Sequence, residues 1–324
     1  MNKFNTNNSS GSGEIVVKIS NLKKNFGSLA AVDGISFDIV RGEIFGFLGP
    51  NGAGKTTTIN MICGLSPPSG GEIFFYGKNS KDRERIRTRI GICPQENIFW
   101  HKLTCHEQLV FMCEMYGLRG KKAKKRSLEL LERMALTEKA HVPATRLSGG
   151  MKRRLNICLA LINDPEILVL DEPEAGLDPQ SRVMVRDYIK SLAQTKTIIF
   201  TTHNMDEADR MADRVAIIDY GKLLTLDTPS NLKRSIGEGD IVEISFEESD
   251  SGKLPDLSAK LGSEFDNITG EGHILTIRSK NLIESIYGIT ETIKSMSLSI
   301  LEMKMRENTL EDVFIHLTGR KLRQ

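Results

Sequence analysis

The sequence predicts an α/β protein with two domains, a large one built on a parallel sheet and a small α/β domain after it. Two apolar runs, ILVLD and TIIFTT, have the length and composition of strands buried on both faces of a parallel sheet. A glycine-rich segment at residues 47–60 joins a predicted strand to a predicted helix. The pattern changes after Gly237, and 324 residues suffice for about two domains.

Composition excludes several classes of protein. The formal net charge of +2 makes nucleic-acid binding through bulk charge unfavourable. The five cysteines are odd in number and form no CxxC, which indicates reduced thiols and no disulfide framework. No uncharged apolar run approaches the ~20 residues of a membrane helix, and residues 1–13 lack the apolar centre of a signal peptide. We therefore expect a membrane role only through a partner.

The large domain is predicted at residues 14–236, after a flexible polar tail at residues 1–13. It begins with alternating strands separated by glycine turns. The helix after the glycine-rich segment should end at Gly64, a typical C-terminal capping residue. A helical period interrupts the strand-rich pattern and indicates an inserted subdomain at about residues 96–147. A hairpin is expected to turn at Gly221.

The small domain is predicted at residues 237–324. Its segments read as strand, helix, strand, strand, helix, strand and a last helix. The first six elements follow the βαββαβ order of a ferredoxin-like unit.

Residues 49–56, GPNGAGKT, fit the pattern of a phosphate-binding loop and have the strand and helix that it requires on either side. Glycines let successive backbone N–H groups face one anion, and the helix N-terminus adds partial positive charge. Lys55 would lie between the β- and γ-phosphates, and the Thr56 hydroxyl would ligate Mg²⁺. The residues expected to contact the nucleotide here are Gly49, Pro50, Asn51, Gly52, Ala53, Gly54, Lys55, Thr56 and Thr57.

The segment DEPEAGLD places Asp171 at the end of a buried strand. A carboxylate at this position of a phosphate-binding sheet holds Mg²⁺. Glu172 follows directly, and a carboxylate beside the metal ligand can polarise water toward the γ-phosphate. Alone, this segment is equally well explained as a polar loop. Together with the phosphate-binding loop it predicts a site of nucleotide hydrolysis.

A third motif, RLSGGMKRRLNICLAL, opens a helix with the exposed amides of Ser148, Gly149 and Gly150. The ordered set of GPNGAGKT, ICPQ, LSGG, DEP and FTTH resembles the ATP-binding subunit of an ABC transporter over about residues 14–236. The LSGG segment is the specific part, because other P-loop ATPases lack it. The resemblance implies a P-loop NTPase cassette with a RecA-like parallel-sheet core, an antiparallel β subdomain and a helical subdomain.

The resemblance also implies roles for residues outside the loop. Phe26 matches the aromatic residue that stacks on adenine, with a core phenylalanine as the alternative. Gln95 matches a glutamine that contacts Mg²⁺ and senses the permease. Asp178 matches an aspartate that crosses the dimer interface. His203 matches a histidine that contacts the γ-phosphate. The implied catalytic residues are Lys55, Glu172 and His203. The implied metal ligands are Thr56, Gln95 and Asp171.

In this family two cassettes stack head to tail, so Ser148 and Gly150 of one chain would cap the γ-phosphate bound by Lys55 of the other. ATP and Mg²⁺ would close a homodimer or heterodimer that drives a separately encoded membrane permease. SGGMKRRL and NTLEDVFIHLTGR resemble cassettes of daunorubicin-resistance type. The resemblance implies a cytoplasmic exporter ATPase, peripheral on the inner membrane face, with a drug, antibiotic or lipid-like cargo and no nucleic acid.

Two residues depart from the family pattern. Met151 replaces a glutamine and cannot donate its amide hydrogen bond, so a contact across the dimer is lost or supplied by Lys152 or Arg153. Glu174 stands where Thr or Ser is common, and an added carboxylate near Mg²⁺ would raise local pKa values. We expect ATP hydrolysis to survive both changes.

Other functions compete with export. ABC ATPases that act on ribosomes or DNA usually carry two cassettes or long coiled coils, and this chain has one cassette and no heptad run. A module that binds ATP without turnover is disfavoured by Glu172 and His203. For the small domain, a regulatory or dimer-stabilising role and an inert appendage stay equally open.

Overall fold

The computed structural model describes residues 13–79, 88–237, 239–262, 265, 267–279 and 282–319. The predicted flexible tail lies outside these residues, apart from Gly13. The chain divides into two compact units, one ending at Thr228 and the other beginning at Pro229. The helix at Pro229–Ser235 therefore belongs to the second unit, ahead of the boundary expected near Gly237.

The first unit combines two sheets with helices. Its strands are β1 (Ile15–Phe26), β2 (Leu29–Val40), β3 (Ile44–Leu48), β4 (Gly70–Phe75), β5 (Lys78–Asn79), β6 (Ile90–Cys93), β7 (Ile167–Asp171), β8 (Thr197–Thr202), β9 (Arg214–Asp219) and β10 (Lys222–Asp227). Its helices are α1 (Lys55–Ile62), α2 (Cys105–Met115), α3 (Lys121–Arg133), α4 (Gly149–Ala160), α5 (Pro179–Leu192) and α6 (Met205–Met211).

The central sheet has the strand order β10-β9-β3-β8-β7-β6. All neighbouring strands are parallel except β9 and β10, which form the predicted hairpin at Gly221. Every residue of β3, β7 and β8 is buried, as expected for strands covered on both faces. Because these strands are parallel neighbours, the segments that follow their carboxyl ends meet at one edge of the sheet.

Each face of the central sheet packs on a different layer. Leu168, Leu170 and Ile198 face a core that includes the helical subdomain. Ile167 and Val169 face a second core shared with the antiparallel sheet β2-β1-β4-β5. The alternation along β7 follows from the two-residue period of a strand. The parallel core, antiparallel sheet and helical insertion predicted from the sequence are all present.

The second unit begins with α7 (Pro229–Ser235) and continues with the predicted βαββαβ order. These elements are β11 (Asp240–Phe246), α8 (Leu254–Leu261), β12 (Asn267–Glu271), β13 (Ile274–Ser279), α9 (Leu282–Ser295), β14 (Ile300–Arg306) and a final helix, α10 (Leu310–Thr318). The four strands form an antiparallel sheet with the order β12-β13-β11-β14. Helices α8 and α9 pack on one face and enclose an apolar core.

The absence of disulfides agrees with the prediction, since all five cysteines are free and buried. None of the helices in the described ranges is long and apolar enough to span a bilayer.

Candidate active site

The phosphate-binding loop follows β3 and requires glycine at two positions. A Cβ atom on Gly49 would lie 2.2 Å from the carbonyl oxygen of Ile218, and one on Gly54 would lie 2.4 Å from that of Ala31. Gly54 also has a φ of 103°, which disfavours residues with a side chain. The loop is thus held against β9 and β2 at both ends. Asn51 and Gly52 form its exposed tip.

Lys55 begins α1 and is buried within the loop. Its Nζ atom donates hydrogen bonds to the carbonyl oxygens of Gly49 at 2.7 Å and Pro50 at 3.0 Å. Burial lowers the pKa of Lys55, and the negative charges of Glu172 and Asp171 act against this effect. The ammonium group therefore shares an electrostatic environment with the two carboxylates that follow β7. Thr56, the next residue, is exposed.

Asp171 and Glu172 are both buried at the end of β7. The Thr201 hydroxyl donates a hydrogen bond to Asp171 Oδ1. The backbone N–H of Glu172 bonds to Thr201 as well, at 3.0 Å from its hydroxyl oxygen. Glu172 has a φ of 50°, an uncommon conformation for a residue with a side chain that is often found at functional sites. Strand β8 thus holds the Asp171 carboxylate and the backbone of Glu172.

The Glu172 carboxylate is held by Gln95, the expected Mg²⁺ contact, and by His203, the expected contact of the γ-phosphate. Gln95, after β6, donates from Nε2 to Glu172 Oε2 at 3.2 Å. His203, after β8, lies with Nδ1 2.9 Å from Glu172 Oε1. The His203 side chain is 56% exposed, so its ring can turn toward a ligand in solvent. Segments after three adjacent strands thereby meet at one carboxylate.

The signature segment is exposed at the start of α4. The Ser148 side chain caps this helix by accepting a hydrogen bond from the backbone N–H of Met151. Gly150 lies beside Leu177 and Asp178 of the same chain. Asp178 in turn caps α5, where hydrogen bonds from Ser181 lower its pKa. The described hydrogen bonds of Ser148 lead to its own helix, whereas those of Lys55 lead to the phosphate-binding loop.

Phe26 lies at the end of β1 and is 56% exposed. The alternative interpretation as a core residue is therefore wrong. The Lys24 ammonium lies over the ring, 5.1 Å from its centroid. An exposed aromatic ring at this position fits a planar ligand.

Arg153 lies beside the site in a position that the sequence did not reveal. It is 1% exposed, and its guanidinium donates to the backbone oxygens of Pro94, Gln95, Asp171 and Pro173. The expectation that Arg153 supplies a contact to a second chain is wrong, because the side chain is used inside its own chain. Five donors in a planar fork allow one arginine to hold several carbonyl groups.

Glu174 is the other departure from the family pattern. The Thr202 hydroxyl donates to its Oε1 atom, while its buried Oε2 atom has no hydrogen-bond partner among the described residues. Burial raises the pKa of Glu174, and the charges of Glu207 and Glu172 raise it further. This shift belongs to Glu174 itself and arises chiefly from its burial, whereas the expectation concerned the groups around the Mg²⁺ site.

The predicted Mg²⁺ ligands can be tested against the chemistry of the ion. Thr56, Gln95 and Asp171 offer a hydroxyl, an amide oxygen and one carboxylate, all oxygen donors that Mg²⁺ prefers. Within the described residues, no group of three or more His, Cys, Asp or Glu side chains is placed to hold a metal ion. The donor set fits the ligand chemistry of Mg²⁺.

Comparison with known proteins gives a match to a family model described as ABC transporter over residues 32–175. The linearmycin resistance ATP-binding protein of Bacillus subtilis is 38% identical over 95% of this chain and all of that protein. A Nod factor export ATP-binding protein of Ralstonia nicotianae is 37% identical, over 95% of both chains. A daunorubicin resistance ATP-binding protein of Streptomyces coeruleorubidus is 32% identical, over 94% of this chain and 96% of its own length.

A solved structure extends the similarity to the fold. The dimeric post-hydrolysis state of an ATP-binding cassette bound to ADP and Pi superposes with a TM-score of 0.61 at 28% identity. The similarity covers 65% of this chain and 98% of that cassette.

Proposed function

Because this chain belongs to the ABC transporter family, we propose that it is the ATPase subunit of an exporter that drives a separate membrane permease. The family, the cassette fold and ATP hydrolysis as the family's reaction agree with the sequence prediction. The observation that carries the proposal is the contact of Gln95 and His203 with the Glu172 carboxylate beside Lys55. Relatives named for antibiotic resistance and Nod factor export support a drug, antibiotic or lipid-like cargo.

Glu172 is placed to orient the attacking water. Its carboxylate is buried on one side and bonded through both oxygens, which restricts the directions from which a water can donate to it. Attack by water on the γ-phosphorus breaks the bond to the ADP oxygen and yields phosphate. A carboxylate that accepts the water proton contributes typically ~10²–10⁴-fold to such a reaction. For this step, His203 and Gln95 must release the Glu172 carboxylate and contact the bound nucleotide instead.

Lys55 stabilises the charge on the transferring phosphoryl group. Its present acceptors are backbone oxygens of the loop, which a phosphate oxygen can replace. The loop amides and the start of α1 add fixed positive dipoles without rearrangement. Phe26 would stack on the adenine.

We assign Thr56, Gln95 and Asp171 as the residues that hold Mg²⁺. When bound, Mg²⁺ neutralises charge on the β- and γ-phosphates.

The second half of the site comes from another chain in this proposal. Ser148 and Gly149 are exposed, so their amides are free to meet a nucleotide held by a partner. Asp178 lies beside Gly150 and would be at the same interface. The dimeric cassette bound to ADP and Pi supports this arrangement. The dimer can be formed by two copies or by a related second cassette.

An apolar groove next to Gln95 is the proposed docking site for the permease. It has a volume of about 510 Å³ and lies between β6 and helices α2 and α4. Its lining includes Pro94, directly before Gln95, and the exposed side chains of Ile98, Trp100 and Tyr116. We infer that a short amphipathic helix of the permease fills it. A movement of Gln95 that depends on ATP would then be transmitted to the permease. In this proposal the chain lies at the cytoplasmic face of the membrane.

The second unit is proposed to be ferredoxin-like and regulatory or dimer-stabilising. Its βαββαβ order and antiparallel sheet support that classification.

Phosphate release and membrane-protein capture test the proposal together. We expect Glu172→Gln to lower ATP hydrolysis at least about 100-fold while nucleotide binding persists. Glu132→Gln, on the exposed surface of α3, is the matched control and should hydrolyse ATP at the wild-type rate. Equal rates for both variants would remove Glu172 from its role.

The second arm uses detergent-solubilised membranes from the source cells. Wild-type chain should capture one integral membrane protein, and Ile98→Asp should lose it because a charge in the groove costs desolvation. If Ile98→Asp captured the membrane protein as well as wild type does, the proposed docking site would be wrong. The conclusion drawn from the hydrolysis assay would not be affected.

A further inference from the structure

The second unit exposes an unpaired strand edge. Strand β14 pairs with β11 and is the last strand of its sheet within the described part of the chain. An open edge presents a row of backbone N–H and C=O groups that can pair with another strand. Leu301 and Met305 on this strand are 63% and 41% exposed. Large apolar side chains on an open edge are costly unless something covers them.

The two faces of β14 differ in character. Met303 and Met305 lie on one face, and Ile300 and Met303 pack against the core under helices α8 and α9. Leu301 falls at an irregularity in the pairing with β11, between Ile300 opposite Phe246 and Glu302 opposite Ser245. Glu302 and Lys304 alternate on the other face and form an ion pair of 2.8 Å. An added strand would thus meet apolar side chains on the helix-covered face and charges on the opposite face.

Helix α9 extends the apolar surface beside this edge. It contacts β11, whereas α8 contacts β12, so α9 covers the half of the sheet that ends in β14. Ser295 marks the side of α9 that faces α8, since Lys260 of α8 donates to it at 2.9 Å. At 100° per residue, Ile283 lies about 120° around the helix from Ser295, on the side away from α8. Ile283 and Tyr287, one turn apart, are 75% and 72% exposed.

The strand is complementary to itself in one register. In an antiparallel pair of identical strands centred on Met303, Glu302 of each copy faces Lys304 of the other copy. A centre one residue earlier would place Glu302 opposite Glu302, and a centre one residue later would place Lys304 opposite Lys304. Like charges directly opposite each other are destabilising, and opposite charges are favourable. Residues that face each other in an antiparallel pair point to the same side of the sheet, so two identical strands must pair about a residue and not about the midpoint between two residues. The registers centred on Glu302 and Lys304 are therefore the ones next to the register centred on Met303.

We propose that β14 pairs with β14 of a second copy of this chain, antiparallel and centred on Met303. The two four-stranded sheets join into one continuous sheet, and Met305, Ile283 and Tyr287 of both copies are covered on its helical face. The interface is isologous, because each copy contributes the same surface. It requires no nucleotide and does not rest on the proposed function.

Sedimentation of the full chain in nucleotide-free buffer tests this interface. Wild type should form a dimer in a concentration-dependent manner. Lys304→Glu places four negative charges around the two-fold axis, and Glu302→Lys places four positive charges there. The dimer dissociation constant of each variant alone should therefore be at least about tenfold higher than that of wild type. An equimolar mixture of the two variants should recover wild-type association, because each facing pair is again of opposite sign. The double variant Glu302→Lys/Lys304→Glu should also associate as wild type does.

Asp256→Lys is the matched control, since it reverses one exposed charge on α8 away from the edge and should leave association unchanged. A wild-type chain that stays monomeric would overturn the proposal, as would a mixture that associates no more tightly than its components. Neither result bears on ATP hydrolysis or on ATP-dependent closure of the cassettes, which are measured separately.

Discussion

At the scale of single residues, three carboxylates within four positions have three different environments. Asp171 accepts a hydrogen bond from Thr201, and Glu172 is bonded through both oxygens. Glu174 accepts one hydrogen bond and keeps a buried oxygen without a described partner. The sequence indicates the roles of Asp171 and Glu172 because their motif is local. The environment of Glu174 includes Thr202 and Glu207, which are distant in sequence. No sequence motif links these two residues to Glu174.

The raised pKa of Glu174 makes the stability of the protein pH-dependent in a definite direction. Below the unfolded pKa of about 4.3, Glu174 is protonated in both states and has no effect. As the pH rises through that value toward the raised folded pKa, the unfolded chain releases the proton first, and the free energy of unfolding falls. Glu174→Gln removes the titration, so it should stabilise the protein increasingly from pH 4 upward.

Urea unfolding of wild type and Glu174→Gln between pH 4 and pH 8 measures this difference. Glu132→Gln, which removes an exposed carboxyl group, should show a difference from wild type that hardly varies with pH. A constant difference for Glu174→Gln across the range would mean that the folded pKa is not raised.

At the scale of elements, most of the fold follows from local pattern. Strands β3, β7 and β8 are predictable because a parallel sheet buries both of their faces. Helix α1 ends at Ile62, with Cys63 as its cap and Gly64 in a left-handed conformation, as expected. The direction of Arg153 is not predictable in this way. Arg153 donates to backbone oxygens after β6 and at the end of β7, and only the tertiary fold brings these segments to α4.

Arg153 joins α4 to the segments after β6 and β7. Arg153→Met leaves several buried carbonyl groups without donors, and we expect it to lower the free energy of unfolding by at least about 2 kcal/mol. Arg153→Lys keeps the charge and part of the donor set, so it should lose less. Because Gln95 and Asp171 lose a backbone anchor, kcat for ATP hydrolysis should fall in the folded fraction of both variants.

Lys152→Met is the control on the same helix, since Lys152 is only half-buried and should tolerate the change. Urea denaturation followed by circular dichroism compares the three variants. If Arg153→Met were as stable as Lys152→Met, the guanidinium would not hold these segments together.

At the scale of the whole molecule, the sequence identifies the cassette, and its head-to-tail dimer only as what the family resemblance implies. LSGG, the phosphate-binding loop and DEP are short motifs whose chemistry is local, and their order alone indicates the family. The proposed partners of Ser148 and of β14 lie on other chains, and such contacts depend on geometry that no local pattern contains. The edge of β14 becomes visible only when the sheet order places it last.

The composite site makes a prediction about mixed dimers. Lys55→Ala disables the phosphate-binding loop, and Ser148→Arg blocks the signature segment, so each variant alone should be inactive. In a mixed dimer, the Lys55 of one chain meets the intact Ser148 of the other, which restores one of two sites. With random mixing, half of the dimers are mixed, so phosphate release should recover to about a quarter of the wild-type rate.

Mixing Lys55→Ala with Glu172→Gln supplies the decisive control, because Lys55 and Glu172 belong to the same chain's half of the site. In that mixed dimer each site contains one defective residue, and no activity should return. Recovery in both mixtures would show that the nucleotide site is not divided between chains in this way. Recovery in neither would mean that one chain hydrolyses ATP without the signature segment of another.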